Sequence, residues 1–136
     1  MQINIVYWSG TGNTEAMAKY IQEGAESTGA SVTVTEVSQA DSSVLDTDVL
    51  ALGCPSMGEE ELEETEFEPF IASIEGSVKN KKLALFGSYG WGDGQWMRDW
   101  SERMKAAGAE LVAESLIVND APDGDECKAF GAAIAG

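Results

Sequence analysis

Apolar and polar positions alternate along this chain with two different periods, and the switching predicts strands and helices in turn. Ile3-Asn4-Ile5-Val6-Tyr7 predicts a strand over about residues 2–8. Met17, Tyr20, Ile21, Gly24 and Ala25 then fall on one face of a helix over 13–28, which Gly29 stops. Ser31 to Val37 alternates side by side, as an edge strand does. Residues 38–47 are polar and form a connection with room for a short helical turn. Asp48-Val49-Leu50-Ala51-Leu52-Gly53-Cys54 and Lys82-Leu83-Ala84-Leu85-Phe86-Gly87 are continuous apolar runs, the kind buried on both faces of a sheet. Between them Phe67, Phe70, Ile71 and Ile74 predict a helix over 62–75. A helix over 95–107 follows, burying Met97, Trp100 and Met104. A strand over 109–118 and a helix over 124–135, with Cys127, Phe130, Gly131 and Ile134 inward, close the chain.

Strand and helix in strict alternation predict a doubly wound α/β domain. The expected sheet has five parallel strands in the order 2-1-3-4-5, with helices on both faces, and residues 1–136 form one domain. Ligands of such sheets bind beyond the carboxyl ends of the strands, where the strand order reverses. Three unusual loops open on that edge: Ser9 to Thr14, Pro55 to Glu60, and Ser88 to Gly94.

Charge narrows the classes of partner. Twenty-four acidic residues against eight basic ones, with no histidine, give a formal charge of −16. Nucleic acid and acidic membranes are excluded as partners, and a basic protein surface is favoured. The absence of histidine removes the commonest general acid–base. No apolar run approaches the roughly 20 residues of a membrane span, and no secretory pattern opens the chain, so a cytoplasmic location is expected. Cys54 and Cys127 lack metal-ligand spacing and are expected to be reduced and buried.

The first loop carries the most chemistry. A helix N-terminus offers unpaired N–H groups and the positive end of the helix dipole. Gly10 and Gly12 let backbone approach an oxyanion, while Ser9, Thr11, Asn13 and Thr14 add hydroxyl and amide donors. The same residue types also cap helices without any ligand; four such donors within six residues favour a phosphate. A P-loop would need a lysine that is missing. A dinucleotide fingerprint would need a glycine where Glu15 stands, and a phospho-acceptor receiver an aspartate where Cys54 stands.

Met57 and Trp91 lie in the two other loops, and a thioether and an indole can sandwich a flat conjugated ring. Trp91 alone is equally consistent with a local core plug. Together with a phosphate turn, the pair suggests a mononucleotide such as FMN.

YWSGTGNTE, LGCPSMGEE and LFGSYGWGDG, each after the matching strand, resemble the flavodoxins, and specifically the short-chain type of clostridia and related anaerobes. The resemblance covers essentially the whole chain. It implies a monomeric, low-potential one-electron carrier rather than an enzyme, with non-covalent FMN cycling between semiquinone and hydroquinone. Its partners would be basic-surfaced reductases and acceptor enzymes. It implies that Ser9, Gly10, Thr11, Gly12, Asn13 and Thr14 wrap the phosphate. Met57 and Trp91 cover the two ring faces, Glu60 accepts from flavin N3–H, and Ser88, Tyr89 and Gly90 line the pyrimidine end and ribityl chain, with Gly92 beside them. Trp8 packs near the cofactor or is a half-buried strand-end aromatic. Met57-Gly58-Glu59 resembles the loop whose peptide turns over on reduction. Pro55 departs from the family pattern, standing where some relatives use a phosphate-holding serine, with Ser56 next to it; whether Ser56 takes over that role is open at this point. Glutamates 59, 60, 61, 63, 64, 66 and 68 form either an acidic rim or, from 63 to 68, a solvated helix face. A quinone-reducing FMN enzyme and a dedicated activator of one metalloenzyme are the alternatives on the same fold.

Overall fold

The computed structural model describes all of residues 1–136. The elements run β1 (Gln2–Tyr7), α1 (Asn13–Glu26), β2 (Ser31–Glu36), β3 (Val49–Gly53), α2 (Phe67–Glu75), β4 (Lys82–Tyr89), α3 (Gln95–Ala106), β5 (Glu110–Leu111), β6 (Leu116–Asn119) and α4 (Gly124–Ile134). Two short 3₁₀ turns, Val37–Gln39 and Ser42–Leu45, occupy the polar connection before β3. All strand pairs are parallel, in the order β2-β1-β3-β4-β5, with β6 also on β4. This is the doubly wound arrangement the sequence predicts.

The central strands are apolar throughout because each face of the sheet is covered. Ile3, Ile5, Ala51, Ala84 and Phe86 point into the layer that holds Met17, Ile21 and Ile134 of α1 and α4. Their neighbours Val6, Leu50, Leu52, Leu83 and Leu85 point into the layer of Phe67, Ile71, Trp100 and Met104 from α2 and α3. Helices α1 and α4 lie close enough that glycine is required at the crossing. A Cβ on Gly24 would sit 2.0 Å from the Lys128 carbonyl oxygen, and one on Gly131 would sit 2.1 Å from that of Ile21.

Two elements differ from expectation. The predicted helix over 62–75 starts only at Phe67, because Glu63 turns its buried carboxylate back on the chain. Its Oε1 accepts from the N–H groups of Glu66 (2.8 Å) and Phe67 (2.9 Å), and Oε2 accepts from Thr65 N–H (2.8 Å) and the Thr65 hydroxyl. Glu63 is therefore neither rim nor solvated face. Burial alone would raise its pKa, but these donors outweigh that and bring it down to about 2. The predicted strand over 109–118 is broken in two. Leu111 pairs with Leu83 and Leu116 with Phe86, so five steps on one strand face three on the other. The two surplus residues bulge out between β5 and β6.

Arg103 on α3 ties that helix to α2. Its guanidinium reaches both carboxylate oxygens of Glu68 at 2.7 Å and those of Glu75 at 3.0 and 3.1 Å. Glu68 is thereby committed to structure rather than to the rim. Cys54 and Cys127 are both free and buried.

Candidate functional site

Parallel strands put the loops after β1, β3, β4 and β6 on one edge, where they enclose a cleft of about 290 Å³. Trp8, Gly10, Thr11 and Asn13 line it from the first loop, Pro55, Ser56 and Met57 from the second, and Ser88, Tyr89 and Gly90 from the third. Asp120 completes it from the end of β6. A larger open groove of about 770 Å³ along α3 and the β5–β6 connection contains none of the residues expected at the site.

The first turn is built around Ser9. Its Oγ accepts from the N–H groups of Gly12 at 3.1 Å and Glu15 at 3.3 Å, so the hydroxyl proton remains to donate. The N–H groups of Gly10, Thr11, Asn13 and Thr14 have no acceptor within the chain. Gly12 leads into α1 in the left-handed region, φ 97°, with no side-chain cap. Thr14 is buried, and its hydroxyl pairs with that of Ser88 at 3.2 Å. Trp8 packs its ring over Gly10, where a Cβ would meet it at 3.0 Å, and its indole N–H donates to Glu66 at 3.3 Å. Beside the turn, burial pushes the Tyr7 hydroxyl up to about 12, helped by its bond to Glu15 at 3.0 Å.

The second loop leaves β3 through Cys54, whose carbonyl accepts from Trp96 Nε1 at 3.2 Å. Ser56 N–H donates to Ser88 O at 2.9 Å, fixing this loop to β4. Met57 and Glu61 then exchange two backbone hydrogen bonds of 2.9 Å across a tight turn. Gly58 and Glu60 within it have φ values of 51° and 57°. Glu60 Oε1 accepts from Gly94 (3.2 Å) and Gln95 (2.9 Å), capping α3 and clamping the second loop to the third. Its Oε2 has no partner within the chain.

In the third loop Trp91 is 62% exposed, one of two large apolar side chains that project into solvent. Gly92 sits against Glu60: a Cβ there would lie 2.6 Å from the carboxyl carbon. Thus Trp8, Gly10, Thr11, Asn13, Ser56, Met57, Ser88, Tyr89 and Gly90 come together around one cleft. Ser9, Gly12 and Thr14 belong to the same first loop and helix start without lining the cleft. Gly58, Glu59, Glu60, Trp91 and Gly92 belong to the second and third loops but do not line it.

Sequence reasoning passed over Asp120. The signal available was an Asn-Asp pair ending a strand, since Asp tolerates the left-handed conformation that Asp120 adopts at φ 56°.

The family model described as Flavodoxin matches residues 5–131. The flavodoxin of Clostridium beijerinckii is 52% identical over 136 residues, covering 98% of this chain and 99% of the relative. That of Megasphaera elsdenii is 47% identical over 135 residues, covering 98% of each. Among solved structures, the two-electron reduced Megasphaera elsdenii flavodoxin matches with a TM-score of 0.92 over 98% of both chains, at 47% identity. A flavodoxin from the domain Archaea matches with a TM-score of 0.89 at 29% identity, covering 99% of this chain and 96% of the other.

Proposed function

This chain belongs to the flavodoxin family, an electron-transfer protein that binds FMN, and from that premise we propose that it works at low potential, cycling FMN between semiquinone and hydroquinone. The single observation that carries the reading is the row of acceptorless N–H groups, Gly10, Thr11, Asn13 and Thr14, in the loop that walls the cleft with Met57 and Tyr89.

The residues present suit the cofactor. A phosphate brings acceptors and no donors, and this turn brings donors without a cation. Neutral N–H groups at a helix start bind such an anion through the dipole and hydrogen bonds together. Ser9, Thr11 and Asn13 add side-chain donors, while Ser56 N–H is spent on Ser88 O. Bound FMN supplies the redox centre, taking up electrons one at a time, which no side chain here does.

The chain positions and tunes that group. Met57 lines the cleft and Trp91 projects into solvent from the third loop, so the two can cover opposite ring faces and exclude water. Glu60 keeps Oε2 for a ring N–H while Oε1 holds α3. Gly58 gives the second loop a peptide that can take either sign of φ. Glu59, Glu61, Glu64 and Glu66 are exposed next to the site, and Asp93 and Asp99 are exposed beyond the third loop. A negative charge about 10 Å from an anionic ring costs roughly 1.7 kcal/mol at an effective dielectric of about 20, so such charges oppose the second electron. The same surface steers basic redox proteins.

Dithionite titration followed by visible spectra tests the reading. A yellow protein that passes through a blue one-electron form before bleaching is expected. Bleaching in a single two-electron step overturns it. Electron transfer to a basic partner should also slow as salt rises.

A further inference from the structure

Glu15 is the only charged residue between Tyr7 and Lys19, and so the one carboxylate in the donor-rich turn. With Gly12 as N-cap, it stands at the third position of α1. A glutamate at that position commonly folds back and accepts from the N-cap N–H. Doing so here would bring a negative charge into the turn and compete with an anion for its donors. Glu15 is instead held elsewhere. The Gly12 N–H goes to Ser9 Oγ at 3.1 Å, and Glu15 Oε2 accepts from the Tyr7 hydroxyl at 3.0 Å. Neither Tyr7 nor Glu15 lines the cleft. Tyr7 closes β1 and lines a separate recess of about 80 Å³ with Glu36, Val37 and Ser38. It is 6% exposed, and no other hydrogen bond within the chain uses its hydroxyl. Burial pushes that hydroxyl up to about 12, so it stays a donor.

We infer that Tyr7 is a positioning residue for cofactor binding: its hydroxyl holds the Glu15 carboxylate out of the anion turn and leaves the N–H groups of Gly10, Thr11, Asn13 and Thr14 open to a phosphate. The inference rests on the first turn holding the phosphate of FMN. No lysine or arginine lies in that turn to offset a misplaced carboxylate. A like charge brought nearer the phosphate repels it, and a capping bond to the turn takes a donor from it. An acidic residue in the first turn also favours α1 through the helix dipole. Glu15 can serve the helix without opposing the ligand only while its side chain is restrained, and the Tyr7 hydroxyl is the restraint.

Tyr7→Phe removes the hydroxyl and keeps the ring in the core. FMN affinity is read from the fluorescence regained when holoprotein is diluted. Riboflavin affinity is read in the same way after exchange, and riboflavin has the ring and polyol without the phosphate. In Tyr7→Phe, FMN is expected to bind about tenfold more weakly, while riboflavin stays within about twofold of the parent. The double variant Tyr7→Phe, Glu15→Ala takes away the freed carboxylate and should return FMN binding to within about threefold of the parent. A hydroxyl that only supported the fold would weaken both flavins alike, and Glu15→Ala would not rescue it. Unchanged FMN affinity in Tyr7→Phe overturns the inference, as does a matching loss for riboflavin or the absence of recovery in the double variant. A parent that holds riboflavin as tightly as FMN overturns the reading of the turn as a phosphate site, and the inference with it. A parent that prefers FMN keeps that reading whichever way Tyr7→Phe falls.

Discussion

The hydroxyls of Thr14 and Ser88 meet at 3.2 Å in the interior, joining the first turn of α1 to the end of β4. Both side chains are buried, at 1% and 5% exposure, so each depends on the other for its hydrogen bond. The pair sets how the anion turn sits relative to the third loop. Thr14→Val keeps the shape and strands the Ser88 hydroxyl, which should cost about 1–3 kcal/mol of stability. FMN affinity should fall as well, because the two walls lose their link. The double variant Thr14→Val, Ser88→Ala removes both partners and should recover part of the loss. Urea unfolding and flavin fluorescence measure the two effects.

Glu63 predicts how the protein responds to acid. Its carboxyl is held at about 2 against an ordinary 4.5, because four donors at the start of α2 outweigh its burial. A lowered folded-state value means that the unfolded chain binds its proton first as pH falls. The stability contributed by Glu63 is therefore present above about pH 4.5 and is lost as pH drops towards 2. Thermal melting across pH 6 to 3 should show a steeper decline for the parent than for Glu63→Gln. Equal slopes would mean that other carboxylates control the acid response.

The α1–α4 crossing makes a separate prediction about packing. Gly24→Ala or Gly131→Ala would drive a methyl group onto backbone of the opposite helix, at 2.0 and 2.1 Å. Backbone cannot rotate away as a side chain can, so the helices must separate. Overpacking of this kind costs typically about 1–3 kcal/mol. Alanine is the better helix former by about 1 kcal/mol, so intrinsic propensity alone predicts the opposite sign. Denaturant midpoints for the two variants decide between clash and propensity.

Where each residue answers to one local rule, the sequence announced the structure. Val49 to Gly53 and Leu83 to Phe86 are apolar without interruption because helices cover both faces, and no helix period fits them. The apolar stripes of α1, α2, α3 and α4 were visible for the same reason. Elements decided by a distant partner were not visible. Glu61 to Glu66 has the composition of a helix start, yet the Glu63 side chain captures four donors ahead of Phe67 and delays it. Trp96 is not among the residues the 95–107 stripe predicts to be buried, yet it is buried, with its indole N–H donated to the Cys54 carbonyl. The break between β5 and β6 depends on the register of β4, which no local pattern in 109–118 encodes. At the cleft, the donor-rich first loop and Met57 could be named from residue type alone. Glu60 as a cap on α3, and Asp120 as a wall of the cleft, required knowing which loop ends are neighbours.

Gly58 gives the most direct test of redox tuning. It sits at φ 51° in a turn closed by the Met57 and Glu61 backbone bonds, and a Cβ there would meet only Glu61 Oε1, at 3.5 Å. Space is therefore not the constraint; backbone freedom is. A side chain at this position changes the relative cost of the two signs of φ by about 1–2 kcal/mol, comparable with the roughly 0.5–1.5 kcal/mol that one net hydrogen bond to the ring would contribute. Gly58→Ala should narrow the separation between the two one-electron steps, and Gly58→Thr should narrow it further because a β-branched residue is the more restricted. Both variants should bind FMN, since Gly58 is not among the residues that line the cleft. Potentiometric titration of each holoprotein measures the separation, and an unchanged value in Gly58→Thr would remove Gly58 from the tuning of the cofactor.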